Sequence, residues 1–241
     1  MLNSEHLSKQ FDADLEDIRS SVLQMGGVVE SQILAAIEAF SSGNNDVISR
    51  VIEVERDVDM REKKIDDACV HLVARRQPAA SDLRMIMGVS KIVTDLERVG
   101  DEAEKIARMA RQIHGRGALQ IPRFVDVRQS GQMAVAILRR ALDAMARLDP
   151  SESAKINAED RLIDTEFRGI VRHLITYMME DPRTISTALE IMWVAKAIER
   201  IGDHAKNIAE QVVYIVSGSD VRHIPDAGAE ISPIADSIET K

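Results

Sequence analysis

Several residue types that build other protein classes are scarce in this chain. Aromatic residues make up 3% of its 241 positions, and there are only 12 glycines and 6 prolines. A sheet-based core draws on aromatic and β-branched residues and needs frequent turns, so this composition favours a helical core of Ile, Val, Leu, Ala and Met. The single cysteine, Cys69, excludes an internal disulfide and is typical of a protein from a reducing compartment.

Long apolar runs and a positive net charge are also missing. No stretch approaches the roughly 20 apolar residues that a membrane span requires, and the first residues lack the basic and apolar regions of a signal peptide. We therefore expect a cytoplasmic protein that associates with a membrane only through its partners. The formal net charge of −9 argues against a nucleic-acid partner, because phosphate backbones are bound by basic surfaces.

Apolar residues recur at the 3.6-residue period of amphipathic helices through most of the chain. Breaks rich in glycine, proline and asparagine divide this pattern into six long segments. The breaks lie at residues 42–45, 77–81, 115–122, 149–150 and 181–182. Short connections make consecutive helices antiparallel neighbours, so we predict an all-α protein that consists of two antiparallel three-helix bundles.

The two predicted bundles are copies of one sequence unit. Glu97 aligns with Glu199 within matching apolar patterns, and residues 36–40 of the first segment align with residues 141–145 of the fourth. This duplication defines the predicted domain organisation. It comprises a first repeat at 1–117, a second repeat at 118–217 and a loosely ordered tail at 218–241.

Acidic residues four positions apart occur at equivalent places in both repeats. At this spacing two side chains project from one face of a helix, with Cβ atoms about 5 to 6 Å apart. Such like charges destabilise a helix unless a cation neutralises them, and carboxylates are ligands for hard divalent ions and for Fe or Mn. The four predicted metal-binding pairs are Glu55 and Asp59, Glu97 and Asp101, Asp160 and Asp164, and Glu199 and Asp203.

The helical rotation places these pairs to one side of the apolar stripe of each helix. If the second and third helices of a repeat turn these sides toward each other, four carboxylates converge in an open surface groove. The pairs could equally point away from each other, because the sequence does not determine which side the neighbouring helix occupies. Glu62 and Glu104 can add ligands in the first repeat, whereas Phe167 aligns with Glu62 in the second, so the two sites need not be equal.

An alternative interpretation treats the pairs as ordinary solvated helix faces. In this interpretation the acidic pairs are neutralised by nearby basic residues, namely Arg98, Lys105, Arg200 and Lys206. Repetition of the pairs in both halves favours the metal interpretation. Gly100 and Gly202 lie beside the pairs, and because glycine in a helix interior costs about 1 kcal/mol relative to alanine, they indicate close helix approach or access to the carboxylates.

Patterns that would indicate an enzyme are missing. None of the six histidines stands three residues after a glutamate, so the Glu-x-x-His motif of ferritin-like di-iron bundles is absent. There is no glycine-rich phosphate loop and no recognisable set of nucleophile, base and orienting residue. We therefore predict a non-enzymatic protein.

The motifs resemble those of the PhoU family, the accessory and regulatory proteins of phosphate-specific transport systems. The resemblance extends over about residues 5 to 224, although Pro182 to Ile185 lacks the Asp-Leu-Arg element of the first repeat. The matching segments are Arg76-Gln77-Pro78, Asp82-Leu83-Arg84, Asp95-Leu96-Glu97-Arg98-Val99-Gly100-Asp101, Ala197-Ile198-Glu199-Arg200-Ile201-Gly202-Asp203-His204-Ala205 and Asn207-Ile208-Ala209.

The resemblance implies a function that residue spacing does not. It implies a homodimeric negative regulator of phosphate-starvation genes that acts between the phosphate ABC transporter ATPase and a membrane sensor histidine kinase. It also implies multinuclear sites for Fe, Mn, Mg or Zn on the same four acidic pairs. Two other classes remain open, a metal-binding helical scaffold without a phosphate role and a carboxylate-bridged di-metal enzyme.

Overall fold

The computed structural model describes residues 2–115 and 124–221. These residues form six long helices and contain no strand, which confirms the predicted all-α class. The helices are α1 (Leu2–Ser42), α2 (Asn45–Arg76), α3 (Ala80–Gly115), α4 (Phe124–Arg147), α5 (Ser153–Glu180) and α6 (Ile185–Ser217). The predicted tail begins where α6 ends, and residues 222–241 lie outside the described residues.

Local hydrogen bonds explain where the helices begin and end. The Asn44 side chain accepts a backbone N–H at the start of α2. This helix ends at Arg76, and the following residue, Gln77, caps it with a left-handed φ of 46°. The side chains of Asp149 and Asp181 each accept a hydrogen bond from the backbone N–H two residues further along the chain. The proline that directly follows each aspartate starts a short 3-10 turn. These turns lead into α5 and α6 at the breaks that the sequence predicts.

The helices pack as two bundles that share one hydrophobic core. Helices α1, α2 and α3 contact one another, as do α4, α5 and α6, and the bundles meet along α3 with α6 and along α1 with α4. The apolar stripe of α1 is fully buried at Val22, Met25, Val29 and Ile33. No helix within the described ranges is long and apolar enough to cross a membrane.

Polar residues of the predicted motifs connect the two bundles across the contact of α3 with α6. Asp95 Oδ1 accepts a hydrogen bond from Asn207 Nδ2 at 3.1 Å and lies 2.9 Å from His204 Nδ1. Arg200 Nη1 donates to Glu102 Oε1 at 3.3 Å. Each of these residues stands next to or near an acidic pair in sequence, so these bonds hold the two sets of pairs in a defined relation.

Candidate functional site

The acidic pairs of the first repeat converge where α2 faces α3. The charges of Asp101, Asp59 and Glu104 all act to raise the pKa of Glu55, so acids of both helices share one region. Glu97 is affected in the same way by Asp101, Glu62 and Asp59. We call this group the first acidic cluster; it comprises Glu55, Asp59, Glu62, Glu97, Asp101 and Glu104.

The second repeat has an equivalent but smaller group where α5 faces α6. The carboxylates of Asp203, Asp164 and Glu199 all act to raise the pKa of Asp160. We call this group the second acidic cluster; it comprises Asp160, Asp164, Glu199 and Asp203. Of the two arrangements that the sequence leaves open, both repeats adopt the convergent one.

The prediction of an open groove is wrong for one residue in each cluster. Glu55 is 7% exposed and Asp160 is 3% exposed, whereas their partners four positions on, Asp59 and Asp164, are half-buried. The helices approach so closely that the first acid of the α2 or α5 pair is enclosed between them. Each cluster therefore has one buried carboxylate, Glu55 or Asp160, which we call its floor. The remaining carboxylates of each cluster are half-buried, and we call them its rim.

Glycine on the facing helix makes room for each buried carboxylate. A Cβ atom at Gly100 would lie 2.9 Å from Glu55 Oε2, and one at Gly202 would lie 2.8 Å from Asp160 Oδ1. Both distances are too short for a carbon against an oxygen that it does not bond. The two explanations that the sequence suggests for these glycines, close helix approach and access to the carboxylates, therefore describe the same contact.

Glu55 is held by a residue that sequence reasoning misses. Gln32 of α1 is 2% exposed and donates from Nε2 to Glu55 Oε2 at 2.7 Å. The second carboxylate oxygen, Oε1, is buried without a hydrogen-bond partner among the described residues. Burial raises the pKa of Glu55 to about 7, and the bond from Gln32 opposes that rise. The only sign of this contact in the sequence is that the polar residue Gln32 lies beside Val29 and Ile33 on the apolar stripe of α1.

Asp160 is held by a cation instead of an amide. Lys206 Nζ lies 3.7 Å from Asp160 Oδ2, while Oδ1 has no hydrogen-bond partner in the part of the chain that the structure describes. Burial, followed by the charge of Asp203, raises the pKa of Asp160 to about 6, and Lys206 opposes that rise.

Basic residues account for part of the rim, as the alternative interpretation predicts. Of the four basic residues that it names, Arg98 lies 3.5 Å from Glu97 and 3.3 Å from Asp101. Lys196 and Arg108, which it does not name, donate to Glu199 and Glu104 respectively, each at 2.6 Å. Two other basic residues of that interpretation point elsewhere, since Lys105 and Arg200 both pair with Glu102. Ion pairing therefore neutralises rim carboxylates, whereas no cation of the described residues pairs with the buried oxygen of Glu55.

The donor set fits a divalent cation in its chemistry. All donors are carboxylates, which suit Mg, Mn and Fe better than Zn, whose protein sites are built mainly from nitrogen and sulfur. A buried carboxylate oxygen without a partner is a group that a cation would satisfy. Among residues 2–115 and 124–221, no three His, Cys, Asp or Glu side chains are grouped tightly enough to hold an ion as they stand, so ligation requires rim side chains to rotate inward.

Comparisons with known proteins agree on one family. Residues 22–110 and 127–212 each match the sequence model of the PhoU domain. The phosphate-specific transport system accessory protein PhoU of Escherichia coli is 46% identical over 221 residues, which are 92% of this chain and 91% of that protein. A PhoU homolog from Pseudomonas aeruginosa is 48% identical over 92% of this chain and 91% of its own length.

Solved structures have the same fold. The crystal structure of PhoU from Pseudomonas aeruginosa superposes with a TM-score of 0.83 at 47% identity, covering 87% of this chain and all of that chain. The phosphate transport system regulatory protein PhoU from Streptococcus pneumoniae gives a TM-score of 0.80 at 25% identity, covering 88% of this chain and 99% of that chain.

Proposed function

The chain belongs to the PhoU family, and on that premise we propose that it is a non-enzymatic regulator of phosphate uptake and phosphate-starvation signalling. The observation that carries the proposal is the match of both repeats, together with relatives that are named as accessory proteins of phosphate-specific transport systems. Such a name supports association with the transport system.

We further propose that the protein, as a cytoplasmic homodimer, couples the phosphate ABC transporter ATPase to a membrane sensor histidine kinase. Binding to partners is supported by large apolar side chains that are exposed on α5 and α6, two helices that pack on each other. They include Ile175, Met179, Ile185, Leu189 and Trp193. Exposed apolar patches with an aromatic residue are typical of protein interaction surfaces.

Deletion of the gene is expected to release phosphate-starvation genes from repression while phosphate is plentiful. A reporter of those genes measures the effect, and adding back the chain without residues 226–241 should restore repression because both repeats are retained. A deletion strain that represses normally, with purified protein that binds neither the ATPase nor the kinase, would refute the regulatory proposal.

We also propose that the acidic clusters bind divalent metal, with Mg, Mn or Fe favoured by the oxygen donors. The ligands would come from the four pairs, namely Glu55 and Asp59, Glu97 and Asp101, Asp160 and Asp164, and Glu199 and Asp203. A bound cation supplies positive charge between the helices of a repeat. The chain itself supplies the buried floor, the half-buried rim and the glycine that brings the helices together.

The double substitution Asp59→Asn with Asp101→Asn is expected to lower bound metal while the helical content is retained. Both side chains lie on the half-buried rim, and rim carboxylates contribute little to stability unless they hold an ion. Metal content of the purified protein and calorimetric titration with Mn²⁺ measure the effect. The matched control replaces two exposed acids of α2, with Glu53→Gln and Asp67→Asn. Unchanged stoichiometry and affinity in the rim variant would show that these pairs are not ligands.

A further inference from the structure

We infer that the two acidic clusters are unequal, because the second carries its own cations, Lys196 and Lys206, and metal therefore binds selectively to the first. This inference rests on the proposed metal binding and adds which of the two clusters takes the ion. The ligand is a divalent cation that prefers oxygen donors, such as Mn²⁺ or Mg²⁺.

Aligned positions of the two repeats differ in charge around otherwise matching pairs. With Glu97 on Glu199, Thr94 aligns with Lys196 and Glu104 aligns with Lys206. On the preceding helix Glu62 aligns with Phe167. The second cluster thus lacks two carboxylates of the first and has two ammonium groups that the first does not.

Contacts place both lysines on the carboxylates of the second cluster. Lys206 Nζ lies 3.7 Å from Oδ2 of the buried Asp160. Lys196 donates to Glu199 Oε1 at 2.6 Å, and its ammonium lies 5.3 Å from the centroid of the Phe167 ring. A cation held by a carboxylate and an aromatic face is fixed in place more firmly than a lysine in solvent. A metal ion would have to displace both lysines.

No cation in the described part of the chain pairs with the buried carboxylate of the first cluster. Glu55 is 7% exposed, its Oε2 accepts from the neutral amide of Gln32, and its Oε1 has no hydrogen-bond partner among the described residues. The position equivalent to Gln32 in the second repeat is the buried Ile137. Asp160 Oδ1 of the second cluster likewise has no hydrogen-bond partner among the described residues, but Lys206 Nζ lies 3.7 Å from the other oxygen of that carboxylate. An external cation can therefore neutralise the buried carboxylate of the first cluster, whereas that of the second already faces an ammonium group.

Two basic residues of the described ranges pair with the first cluster, and the side chains of both are exposed. Arg108 Nη2 lies 2.6 Å from Glu104 Oε1, and its side chain is 53% exposed. Arg98 lies 3.3 and 3.5 Å from its two acids, and its side chain is 56% exposed. Exposed ion pairs of this kind contribute little to stability, so an entering divalent ion displaces the guanidinium groups at small cost. Arg200, the equivalent of Arg98, pairs with Glu102 across the bundle contact.

Titration of the full, metal-free chain with Mn²⁺, followed by calorimetry and by the electron paramagnetic resonance signal of free Mn²⁺, tests the inference. Tight binding is expected in the wild type, with loss in Asp59→Asn/Asp101→Asn and little change in Asp164→Asn/Asp203→Asn. The double substitution Lys196→Thr/Lys206→Glu installs the first-repeat residues in the second cluster. It should add a second set of sites, about tenfold or more tighter than wild-type binding at that cluster.

The reverse change, Glu104→Lys, should weaken binding at the first cluster by about tenfold, because it introduces the charge of Lys206 at the equivalent position. Circular dichroism confirms that each variant is folded. Equal losses from the two rim variants would overturn the inference while leaving metal binding intact. The inference would also be overturned if folded Lys196→Thr/Lys206→Glu gained no new Mn²⁺ sites and Glu104→Lys bound Mn²⁺ with unaltered affinity. Absence of Mn²⁺ binding in the wild type would overturn both the inference and the proposed metal function.

Discussion

Replacing Glu55 by glutamine is expected to stabilise the metal-free protein at pH 8 by about 2 to 3 kcal/mol. Burial raises the pKa of this carboxyl from its ordinary 4.5 to about 7, the bond from Gln32 opposes the rise, and Asp101, Asp59 and Glu104 add to it. Each pKa unit corresponds to about 1.4 kcal/mol between the two protonation states. Glutamine has nearly the shape of the protonated side chain and carries no charge, so it avoids the penalty of ionisation between the helices.

The sign of the effect follows from proton linkage. Below about pH 4.5 the Glu55 carboxyl is protonated in both the folded and the unfolded chain. As the pH rises toward about 7 the unfolded chain ionises first, so the stability that the neutral carboxyl contributes is lost and the free energy of unfolding falls. The variant therefore differs little from the wild type at pH 4.5 and most at pH 8.

Urea unfolding of chelator-treated protein from pH 4.5 to pH 8 measures this difference. Glu53→Gln, at an exposed position of the same helix, is the control and should leave the pH dependence unchanged. Excess Mn²⁺ at pH 8 should narrow or reverse the gap, because ions bind and stabilise only the ionised wild-type side chain. Identical pH dependence in the wild type and Glu55→Gln would show that the carboxyl does not pay the desolvation penalty inferred from its burial.

The helices and their duplication follow from the sequence because both depend on local and repeated signals. Apolar residues at a 3.6-residue period specify each helix, and capping residues such as Asn44, Asp149 and Asp181 mark the breaks. The sequence alone also identifies Glu97 and Glu199 as equivalent residues, because they occupy the same position in the two repeats. The shared core of the two bundles is less predictable, since a period identifies a buried face without identifying the helix that covers it.

The geometry of the clusters depends on packing that residue spacing does not encode. Whether the acids of α2 meet those of α3 depends on which side the neighbouring helix occupies, and how deeply Glu55 and Asp160 are buried depends on the distance between helices. Gln32 is a third example, because it reaches Glu55 from a helix that carries no acidic pair. Contacts between distant helices thus decide which acids form the floor and which form the rim.

Alanine at Gly202 or Gly100 is expected to destabilise the protein, although alanine is a better helix former than glycine by about 1 kcal/mol. The added Cβ would lie 2.8 Å from Asp160 Oδ1 or 2.9 Å from Glu55 Oε2, and 3.2 Å from a core methyl group of Ile163 or Val58. Relief requires movement of the buried carboxylate, and overpacking of this kind costs about 1 to 3 kcal/mol. Gly202→Ala should have the larger effect, since the shorter Asp160 side chain has fewer ways to move.

Gly27→Ala on α1 provides the matched comparison, because a Cβ atom at this helical position meets nothing within 4 Å. It should stabilise the protein by about 0.5 to 1 kcal/mol through helix propensity alone. Thermal and urea unfolding of the three variants at one pH measure the order Gly27→Ala, Gly100→Ala, Gly202→Ala, from most to least stable. If all three substitutions stabilised the protein equally, the close contact between glycine and carboxylate would be refuted. If the predicted order holds, each glycine is required because a carboxylate of the facing helix occupies the space of its missing side chain.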